Sequence, residues 1–338
     1  MSSRVLIACI ALTSLALSGC SRSEHARTKS AAPGTPVTMN INPTISYAPL
    51  VIAKDEGFFA AEGIDARLVS LDSNSAVTAA AAGKLDVLSV GVRSGIFNMI
   101  LRGAPLQVVA DRAHTENGMC DAEAFIAPVG MVKRIAAAGG SLRGEHVGMV
   151  RGGVAEFLTE LLLAQRHVTM HDVIPVQLPQ GSATSARDGL EVVHYVGEPP
   201  LSNALSEGWA GVVATSNDVA PHHQTSLLVY GKHLLHDDPD LGRRFMRAYL
   251  RGVRRYNEGK SERNVAIISR YTKLPPATVR RACWIAISND GRIDPGAIQP
   301  FLDWALAKHY IDAPVPLASW WNPSFVDAAG QQLAHEVR

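Results

Sequence analysis

Tyr47-Ala-Pro-Leu-Val-Ile-Ala-Lys-Asp-Glu-Gly-Phe-Phe-Ala-Ala-Glu-Gly-Ile-Asp65 is the stretch on which the fold turns. Leu50, Val51 and Ile52 give the apolar side of a short helix from Pro49 to about Asp55. Proline loses no hydrogen bond in a first helical turn, and Gly57, just past the last turn, tolerates positive φ. Phe58-Phe59 follows, Gly63 makes a second turn, and Ala66 to Leu71 reads as a strand.

On either side of it, strands and helices alternate. Val37 to Ile41 is a strand whose carboxyl-end loop runs from Asn42 to Ser46. Asp72-Ser73-Asn74-Ser75 caps an alanine-rich helix, Ala76 to Ala82, which Gly83 stops. A buried strand, Val87 to Val90, ends at Gly91-Val92-Arg93-Ser94; a helix, Gly95 to Leu101, leads to the strand Leu106 to Ala110 and then Asp111. This rhythm predicts a parallel, doubly wound sheet, with ligands at the loops beyond the strand carboxyl ends.

The rhythm breaks at residues 112–121, which are polar and aperiodic, before a strand from Ala122 to Ala127. That break predicts a first crossing into a second lobe. There Arg151-Gly152-Gly153 turns into a long helix, Val154 to about His167, and the strand Val173 to Leu178 leads to a loop containing Gln180. Val212 to Ala214 and Ser226 to Tyr230 are strands around the second crossing. Pro239 to Asn257 is a helix with Leu241, Phe245, Met246 and Leu250 on one face. Helices from Pro275 and Pro295 wrap back, and Trp320-Trp321 with Phe325 reads as apolar core packing.

The 47–65 stretch, Gly83-Lys-Leu-Asp-Val87, Arg102-Gly-Ala-Pro-Leu-Gln-Val-Val-Ala110 and Ser141-Leu-Arg-Gly-Glu-His-Val-Gly-Met-Val150 resemble the motifs of one family. It is the nitrate/sulfonate/taurine/thiamine-pyrimidine family of substrate-binding proteins for ABC importers. The resemblance covers about residues 37–330. It departs from the family pattern at Glu191-Val192, where Asp-Ala is usual, although Gly189 and Glu198-Pro199 keep their places. It implies an α/β fold of two doubly wound parallel-sheet lobes with a hinge and a ligand cleft, periplasmic-binding-protein-like of type II. Lobe one would hold residues 37–119 and 231–338, and lobe two 120–230. The expected partners are a small organic solute and an ABC permease with its ATPase, with the protein a monomer and without a cofactor.

The candidate ligand residues are those of the cleft-facing loops: Asn42, Ser46, Tyr47, Asp72, Ser73, Asn74, Ser75, Gly91, Val92, Arg93, Asp111, Arg151, Gly152, Gly153, Gln180, Glu198 and Pro199. Arg93 and Arg151 could pair with an anion; Asp72 and Glu198 could accept from an amine; Tyr47 could stack on a ring or pack under the first helix. The loops 73–75 and 151–153 each begin a helix, and helix N-termini carry unpaired N–H groups and partial positive charge. A solute bridging them through an acidic group is the leading expectation, and a hydrocarbon-like solute stays open.

The first 20 residues stand apart. Arg4, an apolar run from Val5 to Leu17, and Leu17-Ser18-Gly19-Cys20 look like a bacterial lipoprotein leader, cut before Cys20 and lipidated there. Residues 21–36 are a flexible tether. This predicts an exported protein held on the periplasmic side of a membrane by lipid alone, with the choice of inner or outer membrane open.

The chain has 338 residues, 47% of them hydrophobic and 19% charged, which describes a globular protein large enough for two cores. Its 32 basic and 31 acidic residues become equal once Arg4 leaves with the leader, so no basic face invites nucleic acid. Two cysteines remain beyond the leader and anchor, Cys120 and Cys283, read as separate buried thiols although export permits a disulfide.

Enzyme signatures for phosphate loops, dinucleotide folds, zinc proteases and nucleophile elbows are missing from the sequence. His167 and His171 have helical metal-ligand spacing but no third partner nearby, and His222-His223 reads as a surface pair. A thiamine-pyrimidine-synthase-like enzyme is the alternative of another class; the cysteine-rich motif of that enzyme has no counterpart here. A ligand-sensing lipoprotein without a permease is the third.

Overall fold

The computed structural model describes residues 34–178 and 190–336. The chain opens with β1 (Thr35–Asn40), a single 3-10 turn at Ile45–Tyr47, α1 (Ala48–Asp55) and α2 (Phe58–Ala61). Then come β2 (Ile64–Val69), α3 (Ser73–Ala81), β3 (Val87–Gly91), α4 (Ser94–Leu101) and β4 (Gln107–His114). A second run holds β5 (Glu123–Pro128), α5 (Val129–Ala137), β6 (His146–Met149), α6 (Val154–Gln165), β7 (Ile174–Gln177), β8 (His194–Gly197), α7 (Pro200–Ser206), β9 (Ala210–Thr215) and α8 (Ser216–Val219). After β10 (Gln224–Tyr230) the chain is helical: α9 (Pro239–Asn257), α10 (Glu262–Thr272), α11 (Pro276–Arg281), α12 (Gln299–Ala307), α13 (Leu317–Trp320) and α14 (Ser324–His335).

Two sheets of the same strand order organise the molecule. The first runs β2-β1-β3-β10-β4. In the second, β8-β5-β9 is joined to β6-β7 where Val147 lies beside Val193, with Gly148 N–H donating to Val193 at 2.7 Å and Val193 N–H to His146 at 2.9 Å. The resulting order is β7-β6-β8-β5-β9. In both, the strand arriving from the other half of the chain sits next to the edge and runs antiparallel to its neighbours. The α/β architecture is the expected one, but neither sheet is wholly parallel. The expectation rested on strands followed by helices, and the two crossing strands, β5 and β10, are not part of that rhythm.

The placing of β10 also changes where the second crossing falls. The sequence places Ser226 to Tyr230 within residues 120–230, yet all seven residues of β10 are buried between β3 and β4 in the first sheet. A strand buried along its whole length on both faces needs a central position, which the first sheet supplies.

The opening stretch forms as its residues dictate. Gly57 and Gly63 take φ of 75° and 69°, and the short helices between and before these turns pack on α9. Phe59 meets Phe245 with ring centroids 4.8 Å apart. Gly252 of α9 lies so close to α1 that a Cβ there would stand 2.3 Å from the Pro49 carbonyl oxygen. Trp320 is buried edge-on against Phe97 and Phe325 against Tyr230, so the aromatic strap is core packing.

Cys120 and Cys283 form a disulfide, with Cα atoms 5.7 Å apart across a sequence separation of 163 residues. This corrects the reading of two separate thiols. The pairing depends on the chain's return after α11, which brings Ala286 to β4 by a backbone bond from His114 N–H, 3.1 Å. No local pattern announces that return. Among the described residues no helix is long and apolar enough to cross a membrane, and no group of three His, Cys, Asp or Glu is placed to hold a metal.

Candidate ligand-binding site

A cavity of about 410 Å³ opens where strand ends of the two sheets face each other. Thr44, Ile45 and Ser46, after β1, form one wall; Glu123 of β5 and the run His194–Glu198 form the opposite one. Val150 and Leu178 follow β6 and β7, and Cys283 with Ile285 closes the back. Its size lies within the range of small-molecule pockets, roughly 300–1,000 Å³.

Two carboxylates reach this wall. Glu123 Oε2 accepts a 2.6 Å bond from the Tyr195 hydroxyl on the neighbouring strand. Burial raises the Glu123 pKa above the usual carboxylate range, against the Tyr195 hydrogen bond and the positive charge of Arg112. Tyr195, desolvated and beside that carboxylate, is pushed well above the ordinary phenol value and stays a donor. Glu198 accepts from Ser202 Oγ at 2.6 Å, Ser202 N–H at 3.1 Å and Cys283 N–H at 3.0 Å. These bonds fix it between the start of α7 and the disulfide.

Behind the first wall stands Arg112. Its guanidinium donates to the Ser46 carbonyl at 3.3 Å, to Ser46 Oγ at 3.1 Å and to Ser226 Oγ at 2.6 Å, and lies 4.5 Å from the centre of the Tyr47 ring. Tyr47 is therefore engaged by packing and by this cation–π contact, with its hydroxyl donating to Ser89 at 2.9 Å. Asn42 donates to the Tyr47 hydroxyl at 3.3 Å and accepts through its carbonyl from Tyr271 at 2.7 Å.

The other sequence candidates divide into groups. Ser46 and Glu198 line the main cavity, and Pro199 leads into α7. Asn74, Arg93, Arg151 and Gly152 line a second cleft of about 270 Å³, with Arg93 donating to Asn74 Oδ1 at 2.8 Å. Burial lowers the Arg93 pKa, with Tyr47 and Asp72 opposing. Asp72 caps α3: its carboxylate accepts from Asn74 N–H at 3.0 Å, Ser75 N–H at 3.1 Å and the Ser75 hydroxyl, and these bonds hold its pKa low. Ser73 begins that helix. Asp111 is fully buried and accepts from Gln224 at 2.7 Å and Ser288 N–H at 2.7 Å, so it serves the interior. Gln180 lies outside the described residues.

The 151–153 loop, expected to bridge a solute to 73–75, instead packs against residues 92–94. Gly152 O accepts from Ser94 N–H at 2.9 Å and Ser94 Oγ at 3.0 Å, Val154 N–H donates to Val92 at 3.0 Å, and Gly153 lies beside Arg93. Gly152 N–H donates to Glu156 at 2.6 Å, while Gly91 pairs with Ser226 inside the first sheet. The Asn74, Ser75 and Gly152 N–H groups offered to an anion are thus spent on the chain's own carboxylates.

Sequence reasoning did not place Glu123, Tyr195, Arg112, Cys283 or Ile285 at the ligand site. Only Glu123 left a trace, a charge at the head of an apolar strand. The rest reach the cavity through strand pairing and a long-range return.

The NMT1/THI5-like family model matches residues 44–258, from the first cavity wall through the whole of α9. The chain belongs to this family. Among curated proteins no sequence matches it. In solved structures, members of the same fold include the ligand-binding component of an ABC-type import system from Staphylococcus aureus (16% identity, 87% of this chain and 99% of that one, TM-score 0.71). The nitrate-binding protein of Synechocystis PCC 6803 is similar at 16% identity, 89% of each chain and TM-score 0.70. The alkanesulfonate-binding protein of Xanthomonas axonopodis pv. citri gives 17%, 86% and 99%, and 0.67. A desulfurization enzyme shares the architecture at 14% identity, 88% and 99% coverage and TM-score 0.62.

Proposed function

We propose that this NMT1/THI5-like protein is an extracytoplasmic solute receptor that captures a small organic molecule in the main cavity and presents it to an ABC permease with its ATPase. The observation that carries the reading is the cavity itself, walled from both sheets at their strand ends. A solute held there contacts both halves, and only such a solute can favour their closed arrangement. The named activities of the import-system, nitrate-binding and alkanesulfonate-binding relatives support the reading, and the disulfide fits an oxidising compartment. In it, the two sheets are the centres of two lobes, the receptor works as a single copy, and a lipid on Cys20, joined to the fold by a tether that ends before β1 at Thr35 and not at residue 36, keeps it near the permease.

Screening a library of small organic solutes against the full chain by thermal shift, followed by small-angle scattering of each hit, tests this. Bound protein is expected to have a smaller radius of gyration than free protein. A hit that mass spectrometry finds chemically converted would replace the receptor with an enzyme. For the anchor, Cys20→Ala is expected to release the protein from membranes washed at high salt; persistent membrane association would refute lipidation at that residue.

A further inference from the structure

The nitrate- and alkanesulfonate-binding relatives are named for anions, and an anion needs hydrogen-bond donors around it. At the main cavity those donors are largely spent. The Tyr195 hydroxyl is committed to Glu123, Cys283 N–H to Glu198, and the Arg112 guanidinium to Ser46 and Ser226. Among the described residues no lysine or arginine lines it; Arg93 and Arg151 line the separate, smaller cleft.

What faces the space instead is a pair of carboxyl groups set in apolar surroundings. Glu123 and Glu198 flank it, with Ile45, Val150, Val196 and Ile285 supplying hydrocarbon contact. A carboxylate accepts through two oxygens with about four lone-pair sites. Tyr195 uses one site on Glu123, and the three donors to Glu198 leave it capacity as well. A sulfonate placed here would meet like charge from the carboxylates, with His194 and the Thr44 and Ser46 hydroxyls as the neutral polar groups of the wall, whereas an ammonium would find acceptors and a nonpolar bed for its carbon chain.

We infer that the cavity selects an apolar amine, its nitrogen held by Glu198 and Glu123, over an anion of the nitrate or sulfonate type. This deepens the receptor reading and rests on it. The probes are three molecules with one hydrocarbon body: 4-phenylbutylamine, 4-phenylbutan-1-ol and 4-phenylbutane-1-sulfonate. Calorimetric titration of the full chain is expected to rank the amine first, about tenfold or more tighter than the alcohol, as one charge-assisted hydrogen bond requires. The sulfonate is expected not to bind.

Glu198→Gln, confirmed folded by circular dichroism, is expected to weaken the amine about tenfold or more and to change the alcohol by less than about twofold. The ranking on the wild type decides the matter even if that variant fails to fold. A sulfonate that binds as well as the amine overturns the inference and leaves the receptor reading standing. Binding by none of the three also overturns it. Conversion of a bound probe to a product removes the receptor reading and this inference together.

Discussion

The double substitution Cys120→Ser, Cys283→Ser is expected to cost about 3–5 kcal/mol of stability, measured by urea unfolding of the oxidised wild type and the variant. The bridge closes a loop of 163 residues, and in the chain-entropy account a longer closed loop removes more freedom from the unfolded chain. Its position adds a local consequence. Cys283 lines the cavity and its N–H holds Glu198, while Cys120 lies between β4 and β5, where the chain passes from one sheet to the other. Freeing the pair therefore loosens the crossing and the cavity wall together. Affinity for any solute that thermal shift identifies is expected to fall along with stability. If the oxidised wild type and the variant unfold at the same urea concentration, the disulfide is not a stabilising tie. Reduction of the wild type should then be silent as well.

How much of this was legible in the sequence depended on whether the signal was local. Turns at Gly57 and Gly63, the cap at Asp72 and the helix Pro239–Asn257 each rest on a few adjacent residues, and each was readable. The helices α5, α10 and α14 have no counterpart among the expected elements, although Glu262–Thr272 has its own Ser261 cap. The pairing of β10 with β3 and β4 was hidden because the apolar run at residues 227–230 says that it is buried and not beside what. The site shows the same division. Ser46 is legible because it follows a strand and Glu198 because Glu198-Pro199 keeps its place in the family pattern, yet Glu123, Tyr195 and Cys283 come together only through antiparallel register and the Cys120 bridge. Reading Asp72 and the 73–75 amides as separate ligand groups overlooked that a cap consumes the donors beside it. A free helix N-terminus attracts anions; a capped one has already bound its own.

Glu62 belongs to the opening stretch that decides the fold, and the structure gives it a role that its motif does not reveal. It ends α2 with a side chain only 9% exposed, and two arginines of α9 converge on it. Arg247 donates at 2.5 and 3.1 Å and Arg251 at 2.8 Å, while Arg244 donates to the Glu62 carbonyl at 2.7 Å. Residues 244, 247 and 251 share one face of that helix by their spacing. Arg251 continues to Glu336 at 2.7 Å and Arg247 to Gln332 at 2.6 Å, so the cluster ties α2, α9 and the end of α14. Glu62→Ala leaves two largely buried guanidinium groups short of their shared acceptor. The expected loss is about 2–4 kcal/mol, somewhat below that of a fully buried pair, because Arg251 stays a quarter exposed and keeps Glu336. Glu336→Ala is the comparison: its carboxylate is half exposed, and its removal is expected to cost no more than about 1 kcal/mol. Urea unfolding of the two variants separates the cases. Equal, small losses would mean that solvent screens Glu62 as well as it screens Glu336, and that the α2–α9 junction rests on apolar packing such as Phe59 against Phe245. A large loss at Glu62 alone assigns the glutamate of this stretch to holding the first sheet's helices together, away from the cavity.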